Sequence, residues 1–433
     1  MRIEINGGRV IDPAQSLDRV ASVYIADGVI SSVGTAPSGW RAERVIDASQ
    51  CIVAPGLVDL AARLREPGLE HKATLESELA AAAAGGVTSL ACPPDTDPPL
   101  DEPGLVEMLK HRARVISKAH VYPIGALTLG LRGEALTEMS ELAEAGCVAF
   151  SNADMPMPDT QMLFRALQYA GTFGHRVWLR PQDAHLARGG VAHDGEVATR
   201  LGLPAIPVSA ETIALATIAT LVRETGVPVH LCRLSSAEGV AMVREAKAEG
   251  LPLTADVSAH HLHLCDVDIG WFDPQAHLMP PLRGTRDRDA LRAAVVDGTI
   301  DAICSDHAPV DDDGKQVPFG EAEPGATGLE LLLPLTLKWA TEMNVPLMRA
   351  LATLTTAPAA IIGIEPPTFR TGSRADCCIF GATDHWTVSR ASLCSQGKNT
   401  PFLGLDVPGR IYYTLLAGHV VHERADRATA ARP

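Results

Sequence analysis

From about residue 54 the chain alternates short apolar runs with Ala/Leu/Glu-rich amphipathic stretches, and it does so eight times. A short apolar run, a loop and a segment of helical period are what a buried parallel strand and its crossover helix require. Candidate strands are the run ending near Leu60, then Thr88–Cys92, Ala119–Gly125, Val148–Ser151, Val177–Arg180, Val227–Leu234, Leu253–Val257 and Ile300–Cys304. Helical stretches between them include Leu75–Ala84, Ala135–Ala145, Glu211–Thr225 and Ala237–Glu249. Eight such units predict an α/β fold of the (β/α)8 TIM-barrel type. A doubly wound open sheet is the alternative, but no Gly-rich phosphate turn supports it.

The two ends have a different texture. Residues 1–53 read as short strands split by turn signals at Asn6-Gly7-Gly8, Asp27-Gly28 and Gly34 through Gly39. After residue 365 strands and turns return over Ala375–Phe380, Gly409–Leu416 and Gly418–His422. The pattern predicts a small composite β-domain, 1–53 with 366–433, flanking a barrel over 54–365.

The formal charge of −15 argues against a nucleic-acid or anionic-membrane binder, because no surplus of Lys and Arg is available to neutralise phosphates. A cationic site must therefore be a local pocket. The nine cysteines are scattered, with no CxxC pair, which reads as free thiols in a reducing compartment rather than a disulfide framework or a structural zinc. Met1–Gly8 alternates like a strand and does not read as a signal peptide, and no apolar run reaches membrane-spanning length. A cytoplasmic location is the expectation.

Several segments together resemble dihydroorotases and their allantoinase and dihydropyrimidinase relatives, within the amidohydrolase superfamily. They are Ala54–Asp59 with Leu64–Gly68, Ala81–Pro98, Val257–Leu264, Pro280–Arg283, Gly298–Pro309 and Pro324–Glu330. The likeness runs from Val10-Ile11-Asp12-Pro13 to Gly418-His419-Val420-Val421. It implies a site at the C-terminal ends of the barrel strands. It also implies hydrolysis of a cyclic amide by a metal-activated water.

The ligand set that the resemblance implies is His-x-His after strand one, Lys or Asp after strand four, a His after each of strands five and six, and Asp after strand eight. Carried onto this chain, the first pair falls on Ala61 and Arg63. The strand-four position falls on Ala153, with Asp154 able to serve only if the loop register slips by one residue. Arg180 and Arg233 stand at the next two positions, and only Asp306 is retained. Alanine offers no donor and arginine stays cationic, so the implied outcome is a pseudoenzyme without catalytic residues, metal or zinc cofactor.

On the substrate side, Arg65 is suited to a bidentate carboxylate contact. Asp95 stands where an Asn is usual and would repel an anionic dihydroorotate, and Val310 replaces a His. Arg63, Arg65, Arg180 and Arg233 should converge with Asp95 and Asp306, either as an ion-pair network or as a pocket for a small anion. His260 and His261, read as strand neighbours, point to opposite faces and cannot readily chelate together, while His263 restores a His-x-His spacing. The Gly/Pro-rich Lys315–Gly328 stretch has the character of a mobile lid.

The expected function is that of the noncatalytic dihydroorotase-like chains which support aspartate transcarbamoylase in pyrimidine biosynthesis. The expected partner is the transcarbamoylase catalytic chain in a hetero-oligomer, with self-association. The alternatives are an active dihydroorotase or related cyclic amidase using displaced ligands (Asp154, His230, Asp306), and a metal-free anion-binding or sensing module.

Overall fold

The computed structural model describes residues 1–424; the last part of the C-terminal stretch, 425–433, lies outside them. Eight parallel strands form one sheet in chain order: β1 (Leu57–Asp59), β2 (Val87–Cys92), β3 (His120–Ala126), β4 (Ala149–Ser151), β5 (Val177–Leu179), β6 (Val229–Leu231), β7 (Leu253–Ser258) and β8 (Ala302–Cys304). Just past the ends of β1 and β8 a parallel bridge joins Ala62 to His307. There Arg63 N donates to His307 O at 2.9 Å and His307 N donates to Ala61 O at 2.9 Å, which closes the sheet into a barrel.

The outer layer is α1 (Leu75–Ala84), α2 (Pro103–Ile116), α3 (Met139–Ala145), α4 (Thr160–Phe173), α5 (Ser209–Thr225), α6 (Ala237–Ala248), α7 (Thr285–Asp297) and α8 (Leu332–Glu342), one after each strand. Six of the strands are buried along their whole length, and β3 and β7 over most of theirs, as apolar runs require when helices cover one face and packed side chains fill the other. The observed strands are shorter than the apolar runs at several places; Val227–Leu234, for example, contributes only Val229–Leu231 to the ladder. Residues beyond the ladder turn away to build the mouth.

The N-terminal residues form one further sheet and join the C-terminal residues in another. One pairs Arg2–Asn6, Val23–Ala26, Val29–Val33 and Arg44–Asp47. The other has six strands and joins Arg9–Asp12, Leu17–Val20 and Ile52–Pro55 to Cys377–Gly381, Arg410–Leu416 and His419–Glu423. Cys377 and Cys378 are buried there, and all nine cysteines are free. Burial pushes the Cys378 thiol up to about 12, consistent with a packing role. No helix among the described residues is long and apolar enough to cross a membrane.

Two buried carboxylates fix the loops above the strands. Glu78 of α1 accepts from His307 Nε2 at 2.6 Å and from Ser395 Oγ at 2.7 Å, tying the closing seam to the C-terminal region. Gly328 lies in the same place, where a Cβ would come within 2.1 Å of Ser305 O, so only glycine lets the two backbones approach. Glu211 of α5 accepts from the backbone N–H groups of Ser235 and Ser236 at 2.9 and 3.0 Å and from both of their hydroxyls at 2.5 Å. Replacing it orphans four donors beside Arg233. Glu211→Ala should therefore destabilise by about 3 kcal/mol, read as a lower urea midpoint with unchanged slope.

Candidate active site at the barrel mouth

The residues singled out in the sequence meet at the C-terminal ends of the strands. Arg63 follows β1, Asp95 follows β2, Asp154 follows β4, Arg180 follows β5, Arg233 follows β6 and Asp306 follows β8. Arg63 reaches three carboxylates: Nε to Asp95 at 2.6 Å, Nη2 to Asp154 at 2.6 Å and Nη1 to Asp306 at 3.4 Å. Arg233 Nη1 lies 2.8 Å from Asp306, and its Nη2 pairs with Asp154. Arg180 Nε lies 2.9 Å from Asp154, Nη2 donates to the Asp154 carbonyl at 2.9 Å, and Nη1 donates to Gln182.

The strand-four expectation changes here. Ala153 takes a left-handed backbone (φ 50°) and tucks its methyl group against Ala126 and Leu131. That turn advances the loop by one residue and sends the Asp154 carboxylate into the site. Arg65, Arg233 and Asp306 share the positive φ, at 61°, 56° and 46°. Such a conformation costs an ordinary residue about 1–3 kcal/mol; ion pairs hold it at Arg233 and Asp306, and at Arg65 it accompanies the Nε bond to Pro309 O.

Electrostatics follow from the geometry. Burial would raise the Asp154 carboxyl, but Arg233, Arg63 and Arg180 override it and hold the group well below the usual carboxylate range. Burial would lower Arg63, and Asp154 and Asp95 reverse that and hold it above its ordinary value. Arg233 is raised in the same way, against burial, by Asp154 and Asp306. Burial wins at Arg180, which is lowered despite Asp154. Asp95 is neutralised by Arg63, so its expected repulsion of an anionic substrate is largely cancelled.

Arg65 differs from the other three. Its Nε donates to Pro309 O at 2.9 Å, and no carboxylate among the described residues lies within ion-pair distance of it. Burial and the neighbouring Arg63 charge lower its pKa. It lines a pocket of about 190 Å³ with Arg63, Asp95, Asp154, Asp306 and Glu323. Val310, the position of the replaced His, is buried and donates its N–H to Asn399 Oδ1 at 2.9 Å.

The expected lid is tied down. Lys315 Nζ donates to Pro274 O at 2.9 Å and His277 O at 3.3 Å, Phe319 stacks on His277 at 4.9 Å, and Glu323 pairs with Lys72 at 2.5 Å. His260 and His261 lie on a 3-10 turn, Ala259–Leu262, not on a strand as expected. His261 Nε2 meets Pro280 O at 3.1 Å, His263 Nε2 meets Leu335 O at 2.8 Å, and His260 stacks on Phe402. These three do not form a shared donor set.

Metal fit can be tested at two places. The strand-end positions do not fit a divalent ion: Ala61 has no donor, and the guanidinium groups of Arg63, Arg180 and Arg233 fill the space with positive charge. One step deeper, His230, Cys232 and Asp256 bring a nitrogen, a sulfur and a carboxylate oxygen within 4.8 Å of one another. This donor chemistry suits zinc. His230 Nε2 lies 2.9 Å from Asp256 Oδ2, and burial, reinforced by Asp256, keeps the Cys232 thiol protonated until an ion displaces the proton. The sequence reading missed Cys232 and Asp256, although His230 and Cys232 at i, i+2 carried a signal.

Comparison with known proteins decides the family. A dihydro-orotase-like family pattern matches residues 50–239, and an amidohydrolase family pattern matches 183–421. This chain is a dihydroorotase-like member of the amidohydrolase superfamily. It is 46% identical over 98% of its length to 99% of a "Dihydroorotase-like protein" of Pseudomonas putida. It is 40% identical, again over 98% of its length, to all of a "Dihydroorotase" of Geobacter sp.. The fold is that of an L-hydantoinase (dihydropyrimidinase) from Arthrobacter aurescens, with a TM-score of 0.86 at 23% identity over 97% of this chain and 96% of that one.

Two expectations are corrected by these findings. The expectation of a pseudoenzyme is overturned by whole-length relatives named dihydroorotase. The expectation of no zinc cofactor is overturned by membership of a superfamily whose hydrolases use a metal, together with the His230, Cys232 and Asp256 donor set. The sequence reading counted only strand-end positions, and the donors lie one layer below them.

The depressed Asp154 carboxyl makes stability pH-dependent. Its contribution is complete above the ordinary carboxylate range, about pH 4, and is lost as pH falls below that. Asp154→Asn should cost about 2 kcal/mol at pH 7, less than for a fully buried pair because the Asp154 side chain is 31% exposed. The difference in urea midpoint between wild type and variant should shrink on going to pH 3; an unchanged difference would contradict the assignment.

Proposed function

We propose that this chain acts on a small cyclic amide bearing a carboxylate, of the dihydroorotate type, as a dihydroorotase or related cyclic amidase with ligands displaced from the usual positions. The observation that carries the reading is the 190 Å³ mouth pocket with Arg65 unpaired by any carboxylate among the described residues. Relatives named dihydroorotase, matched end to end, support it.

Zinc, held by His230, Cys232 and Asp256, would supply Lewis-acid polarisation and a lowered water pKa. The chain's own residues do the rest. Arg65, with Nε committed to Pro309 O, keeps its two Nη groups for a ligand carboxylate. Asp306 is fixed by Arg63 and Arg233 at the pocket wall, and Asp95 is screened by Arg63. The Lys72–Glu323 pair secures the loop on the outer side of the pocket.

A second reading, metal-free anion binding, draws on the same unpaired arginine. Association with an aspartate transcarbamoylase chain, and self-association, rest on the family resemblance and are tested by gel filtration of the mixed chains. Ureidosuccinate cyclisation and metal content measured on one sample test the main reading. Zinc near one per chain with turnover is expected; Cys232→Ser should lose at least tenfold in both, and Arg65→Gln should raise KM. Anion binding with neither zinc nor turnover would select the second reading.

A further inference from the structure

We infer that Asp154 is an internal ligand of the barrel mouth: its carboxylate occupies the seat of a small oxyanion, a carboxylate or phosphate group, and residues 154–158, beyond the anchored Asn152 and Ala153, must swing out to admit that anion. The inference rests on the reading that the mouth is the ligand site, and adds a gate to it.

The first observation is the direction of approach. Arg63, Arg180 and Arg233 come from the barrel wall and are 4–6% exposed at the side chain, whereas Asp154 meets all three from the solvent side at 31%. Three guanidinium groups around one carboxylate make a seat that any compact oxyanion can fill.

The second is the way the segment is held. It has no helix or strand between Ser151 and Thr160. Asn152 anchors its start, accepting from Thr128 Oγ1 at 2.6 Å and donating to Leu131 O at 3.1 Å. Beyond that anchor lies the left-handed turn at Ala153, then Met155, which is 55% exposed. Empty space borders the segment on both sides. The 190 Å³ pocket reaches Asp154, and a second cavity of about 90 Å³ is lined by Ala153, Met155, Met157 and Arg180. Asp154 is held by its ion pairs, by Arg180 Nη2 on its carbonyl at 2.9 Å and by one turn in which Met155 N donates to Asn152 O at 3.0 Å, and these are the bonds the swing must open.

The third is charge. Beside the self-neutralising Lys72–Glu323 pair, Arg63, Arg65, Arg180 and Arg233 face Asp95, Asp154 and Asp306, four positive groups against three negative. With Asp154 withdrawn the surplus rises from one to two, which a singly or doubly charged anion offsets. Exchange of one anion for another keeps the buried guanidinium groups paired throughout, so the swing avoids an uncompensated intermediate.

Thermal melting with inorganic phosphate or malonate, against chloride at matched ionic strength, tests this on wild type and Asp154→Asn. The variant should bind either anion at least tenfold more tightly and recover its lost melting temperature when saturated. In wild type, saturating anion should accelerate hydrogen exchange at the amides of Asp154, Met155 and Met157. Equal anion response in the two proteins, or exchange that is unchanged or slowed at these amides, overturns the inference. If the variant does not fold, the wild-type exchange decides alone. Because neither readout uses turnover or zinc, failure here is distinct from failure of the cyclic-amidase reading.

Discussion

Buried guanidinium groups must be matched by carboxylates, and this requirement organises the mouth of the barrel. Arg63, Arg180 and Arg233 are nearly sealed from water, so each must find an acid within reach. Asp306 comes from the end of β8, Asp95 from the end of β2, and Asp154 from a loop that bends at Ala153 to deliver it. The positive backbone angles at Arg233 and Asp306 belong to the same solution, because they turn side chains inward just where the strands end. The closing seam at Ala62 and His307 fixes the spacing of Arg63 and Asp306, and so sets how the charges meet.

Much of the fold was legible because buried parallel strands and crossover helices have distinct periods. Leu75–Ala84 is a helix from end to end, and the eight barrel strands lie where apolar runs predicted them. Strand ends were less legible: Val227–Leu234 contributes three residues to the ladder, and the rest of that run builds the site. Convergence of Arg63, Arg65, Asp95, Arg180, Arg233 and Asp306 was implied by the family resemblance, which places these positions at the ends of the barrel strands. The choice of Asp154 over Ala153 was not, since it depends on a backbone turn at a residue type that seldom adopts it. His260 and His261 were misplaced for a related reason, a 3-10 turn that begins where the apolar strand pattern still continues.

The donor set below the mouth shows what strand-end bookkeeping leaves out. His230 lies on β6 and Cys232 one residue past its end, and Asp256 meets them from β7, so their proximity depends on neighbouring strands in a closed sheet. Above them the Arg233 N–H donates to Asp256 Oδ1 at 2.6 Å while its guanidinium binds Asp306. One residue thus joins the deeper layer to the outer one, so a change in either layer is felt by the other.

The shared carboxylate of Asp154 also bears on how this site can vary over generations. A substitution that removes one arginine leaves the other two on the same acid, and one that removes the acid leaves Arg180 without a carboxylate and Arg63 and Arg233 sharing Asp95 and Asp306. Viable variants must therefore change charge in compensating sets. Sequences that share this loop should show Arg63, Arg180, Arg233 and Asp154 gained or lost together, with each residue's tolerance conditional on the identity of the rest.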